Sequence, residues 1–276
     1  MKEVNSYGWK AVIGSSIGYA MDGFDLLILG FMLTLISGDL GLTTGQAGSL
    51  VTWTLVGAVI GGFIFGTLSD KFGRVRVLTW TIVLFAVFTG LCAFAQGYWD
   101  LLIYRTIAGI GLGGEFGIGM ALAAEAWPAQ HRAKATSYVA IGWQLGVLAA
   151  ALLTPVLLPY IGWRGMFMVG IIPAFVAWIF RAKLHEPEIF VQNKEIKEHS
   201  HTNSFKLLVK DVRTTKTSIG VAILTSVQNF GYYGIMIWLP NFLSKQLGVF
   251  PYKIGSVDCR NCMWYDGRHL VIRTIG

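Results

Sequence analysis

The sequence predicts an all-α integral membrane protein of about seven spanning helices, and three observations predict it. The first is composition. Of 276 residues, 54% are hydrophobic and only 13% are charged, about half the charge of a typical soluble domain. Mean hydropathy is +0.58, and ten Trp, seventeen Phe and 34 Gly accompany it. The second is length of apolar run. Seven windows approach the roughly 20 apolar residues a helix needs to cross a bilayer: 11–37, 47–68, 77–96, 101–124, 136–159, 165–182 and 217–243. The third is where the basic residues fall. With the N-terminus in the cytoplasm, the inside segments hold fifteen Lys and Arg and the outside loops three, Arg164, Lys245 and Lys253. Such asymmetry sets membrane orientation. It accounts for most of the +7 net charge and displaces a nucleic-acid partner as its explanation. A disordered chain is excluded by the apolar content, and a disulfide scaffold by having only three cysteines.

Each window is bounded by polar or helix-breaking residues. Gly38-Asp39 and Thr43-Thr44 separate the first two, and Asp70-Lys71-Phe72-Gly73-Arg74 the second and third. Gln96-Gly97 with Asp100, then His131 to Lys134, then Gly162-Trp163-Arg164 close the next three. The first window is too long and too acidic for a signal peptide. Residues 183–216 form a long polar connector of mixed sign. Its His185, His199 and His201 have no spacing that suits a metal. No cofactor is expected.

Charge inside a span is costly and marks candidate function. Asp22, Asp25, Arg105 and Glu115 lie deep in spans one and four; Glu125 lies near an interface. Asp22 and Asp25, three apart, share a helix face. Two close carboxylates in low dielectric resist double ionisation, a property suited to taking up and releasing a proton. Arg105, Ala108, Leu112 and Glu115 form one stripe of span four. Arg105 and Glu115 are about 15 Å apart along the axis, too far to pair, so each needs a partner elsewhere. That partner is a group on another helix, a substrate or water, and a guanidinium such as Arg105 can bind a carboxylate bidentately. Glycines run along span two (57, 61, 62, 66) and span four (109, 111, 113, 114, 117, 119) and permit close helix approach. Gly109, Gly111 and Gly114 match a dinucleotide fingerprint only by spacing, since no strand precedes them.

The run Gly66-Thr-Leu-Ser-Asp70-Lys71-Phe72-Gly73-Arg74 resembles the turn signature between helices two and three of the major facilitator superfamily. Arg105 through Glu115 resembles its fourth-helix motif. Gly162-Trp163-Arg164 and Glu186-Pro187-Glu188 are weaker likenesses. Within that superfamily, Gly18 through Asp25, Gly41 through Leu50, Gly114-Glu115-Phe-Gly117 and Glu125-Ala-Trp-Pro128 are similar to the sialate:proton symporters and related carboxylate carriers. The proline-containing antiporter motif is not evident in residues 140–146.

The resemblance implies a six-helix N-terminal half (1–182), a cytoplasmic inter-domain loop (183–216) and the first helix of a second half (217–256). It implies a multi-pass cell-membrane transporter rather than an enzyme, moving a small organic anion with a proton by alternating access. Asp22, Asp25 and Glu115 would couple the proton, and Arg105 would bind substrate. Gly66, Asp70, Gly73 and Arg74 would form the conformational-switch loop, with lipid as the surrounding partner. Twelve spans are expected of the family. The tail 257–276, with five charges and Cys259 and Cys262, reads as a non-family segment produced by a frameshift, so an incomplete or inactive product is expected. A six-helix half working as a homodimer is the alternative. A membrane enzyme built on Asp22 and Asp25 finds no further catalytic residue to support it.

Overall fold

The computed structural model describes residues 6–182, 186, 211–247, 263–266 and 269–272. Its helices are α1 (Ser6–Asp39), α2 (Thr44–Phe72), α3 (Arg74–Cys92), α4 (Tyr98–Glu125), α5 (Arg132–Ala182) and α6 (Val212–Leu247), with a short 3-10 turn at Ala129–His131. The first four coincide with the first four predicted windows. α3 ends at Cys92, four residues before its window does, where the chain tightens into a turn with Phe94 N–H donating to the Leu91 carbonyl.

Predicted spans five and six are the two arms of α5, which is interrupted at Gly162 (φ 64°, ψ −178°). The contacts show that the chain reverses there. In the first arm Gly142 meets Ser16 and Gly146 meets Ala20 of α1. In the second arm Trp163 reaches Asp39, Gly170 lies near Thr89, and Glu186 reaches Arg74 at the start of α3. The first arm therefore ascends beside α1 and the second descends beside α3. Only a residue without a Cβ takes that φ cheaply.

Five of these helices are long and apolar enough to cross a membrane. The seventh window lies in α6, which is long enough, but Gln228, Asn229, Tyr232 and Tyr233 lower its apolarity below that of the others. Large apolar side chains point outward along the bundle, among them Val59, Phe63, Leu152 and Ile172, as lipid-facing surfaces require. In the segment after the bundle, β1 (Met263–Asp266) and β2 (His269–Ile272) pair antiparallel, Met263 opposite Ile272.

The tightest seams carry glycine. A Cβ at Gly57 or Gly61 of α2 would run into the Thr106 or Ile110 carbonyl of α4, and one at Gly109 or Gly113 into Thr54 or Ala58 of α2. Gly142 and Gly146 make the same approach to α1. Backbones that touch gain packing without a side chain between them. Gly66 differs from the expected close packing, because a Cβ there would meet nothing within 4 Å.

Thr43 caps α2 through a reciprocal box. Its hydroxyl accepts from Gln46 N–H at 3.3 Å, and its own N–H donates to Gln46 Oε1 at 2.9 Å. The Thr-x-x-Gln spacing is the sequence signature of this box.

Candidate functional site

Charge is gathered at three depths. Midway along the bundle, Arg105 of α4 meets Asp25 of α1 in a two-point pair. Nη1 donates to Oδ1 at 3.0 Å and Nη2 lies 2.8 Å from Oδ2. Both side chains are inaccessible, at 0% and 1% exposure. The Phe167 ring lies 5.8 Å from the guanidinium carbon, so an apolar wall from α5 completes the enclosure. Isolated charges do not survive such burial. The pairing neutralises the buried guanidinium with one hydrogen bond and one close ionic contact, and leaves its Nε without a hydrogen-bond partner.

Asp22, one turn earlier, faces elsewhere. It lines a cavity of about 830 Å³ between α1, α2, α4, α5 and α6. Tyr19 and Trp143 stand beside it with ring centroids 5.0 Å apart. Phe116 lies 4.9 Å from Tyr19, and Trp143 Nε1 donates to the Tyr232 hydroxyl of α6 at 2.8 Å. Leu55 and Val51 of α2 supply the apolar side, and Gln228 and Asn229 of α6 the neutral polar side. Arg105, Asp25 and Glu115 are not among the lining residues.

Glu115 is buried and accepts from the Thr81 hydroxyl of α3 at 3.3 Å. The expected stripe is real as a buried surface, since Arg105, Ala108, Leu112 and Glu115 are all inside. Its two ends nevertheless turn to different neighbours, α1 and α3. The expected Asp22–Asp25 face is likewise shared between two environments, so the structure brings Asp25 to Arg105 and leaves Asp22 at the cavity.

At the α2–α3 turn, Arg74 gathers three partners. Its Nη2 lies 2.9 Å from Asp70 Oδ1 and 3.2 Å from Glu125 Oε1, and Nη1 donates to Ser69 Oγ at 2.7 Å. Glu186 then caps α3. Its carboxylate accepts from the N–H groups of Arg74, Val75 and Arg76 at 2.8, 3.2 and 3.1 Å. A carboxylate at a helix N-terminus is favoured by the helix dipole and the unsatisfied donors there. Gly73 (φ 112°) makes room for it, since a Cβ would strike the Glu186 carboxylate. Glu125 and Glu186 are partners that the sequence did not reveal. Glu186 was visible only as a weak motif 110 residues away.

At the opposite end, Asp39 pairs with Arg164 Nη1 at 2.6 Å and accepts from Trp163 Nε1 at 3.0 Å. Arg164 also lies over the Trp163 ring at 4.0 Å. Among the described residues, no cluster of three His, Cys, Asp or Glu suits a metal ion.

Comparison with known proteins identifies relatives of the chain. The sequence pattern of the Major Facilitator Superfamily matches residues 15–256. A putative metabolite transport protein of Haemophilus influenzae is 76% identical over 258 residues, spanning 92% of this chain and 63% of its own length. A cis,cis-muconate transport protein of Acinetobacter baylyi is 33% identical over 251 residues, spanning 89% of this chain and 61% of its own. The chain thus spans less than two thirds of either relative. Among solved structures, the crystal structure of a D-xylose-proton symporter superposes with a TM-score of 0.71 at 23% identity, over 90% of this chain and 64% of that one.

Proposed function

The chain belongs to the Major Facilitator Superfamily, and from that premise we propose that it serves proton-coupled symport of a small organic acid, carboxylate- or sialate-like, across the cell membrane by alternating access. The observation that carries the reading is Asp22, a fully buried acidic residue beside a cavity midway along a membrane bundle. A group there that changes protonation biases whichever state binds the proton better. The likeness to carriers named for metabolites and for muconate supports the substrate class.

In this reading Asp22, Asp25 and Glu115 are the proton-coupling acids. Arg105, held by Asp25, supplies the positive field that draws the anion inward. The Gly66, Asp70, Gly73 and Arg74 turn, with Glu125 and Glu186, holds one end of the bundle closed in one state. The Lys and Arg asymmetry supports a cytoplasmic N-terminus and a cytoplasmic α2–α3 turn.

Asp22→Asn and Asp25→Asn, made in the full-length Haemophilus relative, test it. Each is expected to abolish uphill, proton-driven accumulation of the transported acid in cells. Unchanged accumulation in both variants removes the assignment.

A further inference from the structure

The cavity midway along the bundle carries a run of aromatic rings. Trp143 of α5, Tyr19 of α1 and Phe116 of α4 all line it, with successive centroids 5.0 Å and 4.9 Å apart. Tyr233 of α6 stands edge-on to Trp143 at 6.4 Å. The attitude of Trp143 is fixed from two sides. Its Nε1 donates to the Tyr232 hydroxyl at 2.8 Å. Its ring also packs against α1 where Gly23 has no side chain, since a Cβ there would press on the indole. Trp143 is only partly buried. With its N–H engaged, it offers the cavity an apolar π surface.

The hydroxyls of the same lining are engaged by their own helices. Thr52 donates to the Gly48 carbonyl at 3.2 Å, and Thr225 and Ser226 donate to the Val221 and Ala222 carbonyls, each at 2.8 Å. A hydroxyl has a single proton to give, so these side chains can accept from a ligand but not donate to it. A ligand rich in hydroxyls and carbonyls would therefore bury oxygens short of donors, which is costly. A flat apolar body makes no such demand and gains ring stacking.

Resting on the organic-acid reading above, we propose that Trp143 is a specificity-determining residue of this site: the flat, unsaturated body of a planar acid stacks on its indole, which Tyr232 holds at a fixed angle. Tyr19 and Phe116 extend the platform. A saturated acid of the same size fills the space without the stacking gain, and a polyhydroxylated acid of the sialate kind meets too few donors. Tyr232 is a positioning residue. Its hydroxyl keeps the indole from swinging, so less rotamer freedom is lost when the acid arrives.

The experiment compares equilibrium binding of benzoate, cyclohexanecarboxylate and N-acetylneuraminate to the whole 276-residue chain in lipid nanodiscs, at about pH 6.5, where all are ionised. Benzoate and cyclohexanecarboxylate share charge and ring size and differ in planarity and π electrons. The wild type is expected to favour benzoate over cyclohexanecarboxylate by about three- to tenfold. N-acetylneuraminate should bind at least about tenfold more weakly than benzoate. Trp143→Leu should bring the benzoate to cyclohexanecarboxylate ratio to about one and leave cyclohexanecarboxylate within about threefold of the wild type. Tyr232→Phe keeps both rings and removes only the acceptor, so it should weaken benzoate by about two- to fivefold and cyclohexanecarboxylate less. Circular dichroism checks that each variant is helical. The proposal is overturned by a wild type that does not prefer benzoate, by N-acetylneuraminate binding as tightly as benzoate, or by a helical Trp143→Leu with the wild-type ratio. Should Trp143→Leu lose its helices, the wild-type ratio in both Trp143→Phe and Tyr232→Phe overturns it instead. If none of the acids binds the wild type, the organic-acid reading falls and this proposal with it, a result distinct from binding without the preference.

Discussion

The midplane and the α2–α3 turn each hold an arginine bound to carboxylates, and they differ in depth. Arg105 and Asp25 are 0% and 1% exposed, whereas Arg74, Glu125 and Asp70 are 15%, 25% and 29% exposed. The two-point bond of Arg105 to one acid is closed to water. The bonds of Arg74 are shared among Asp70, Glu125 and Ser69 within reach of water. Depth, more than the number of bonds, sets what each arrangement is worth. Removing one buried partner strands a charge where nothing solvates it, while water replaces a lost partner at the turn.

The sharpest way to break this contrast is Asp25→Asn. It leaves Arg105 buried with a neutral partner, and thermal or denaturant unfolding in detergent should show a loss of about 3–5 kcal/mol. The double variant Asp25→Leu with Arg105→Met should recover much of that loss. An Asp25→Asn chain as stable as wild type would show that water reaches the pair after all. Arg74→Ala comes next, with an expected cost of about 1–2 kcal/mol that shrinks as salt is raised. A salt-independent loss would mean the turn is as enclosed as the midplane. Glu186→Gln keeps an oxygen acceptor and loses the charge, so about 0.3–1 kcal/mol is expected from the dipole alone. The smallest effect belongs to Asp211, which lies in water at the start of α6. Its carboxylate accepts from Thr214 N–H and from the Thr214 hydroxyl, both at 2.8 Å. The Thr214 backbone N–H, chiefly, holds its pKa below the ordinary value near 4. That contribution is present above the unfolded-state pKa and is lost as pH falls through the lowered one. The protection of the first-turn amides of α6, measured as exchange relative to the intrinsic rate at each pH, should therefore fall on acidification, and Asp211→Asn should abolish the change. Exchange that is indifferent to pH-dependent protonation of Asp211 would refute this.

Much of the fold was legible because apolar length and breakers suffice for single helices. Gly162 was read as a break between two spans, and it is the point where α5 reverses. Partner choice was not legible. Residues three apart on a helix point about 60° apart around its axis, close enough to suggest a shared face and far enough to meet different neighbours. Asp25 therefore meets Arg105 of α4 while Asp22 meets the cavity. Over the ten residues from Arg105 to Glu115 the same drift turns one end of the stripe to α1 and the other to α3. Glu186 was harder still, because its role depends on a chain reversal that delivers it to α3 from more than a hundred residues away.

The glycine seams also decide which parts of the bundle are stiff. Where the Ala58 carbonyl fills the space a methyl would take at Gly113, and the Ala20 carbonyl does the same at Gly146, there is no flexible side chain to act as a bearing. α2 cannot slide on α4, nor α1 on the first arm of α5, without lifting apart and opening a void along the whole seam. These pairs behave mechanically as welded beams. α6 packs chiefly against α1, and Trp143 Nε1 of the first arm of α5 donates to its Tyr232 hydroxyl. Bending work is therefore concentrated at that joint, beside Asp22, and the stiff beams transmit displacement to it without absorbing any themselves.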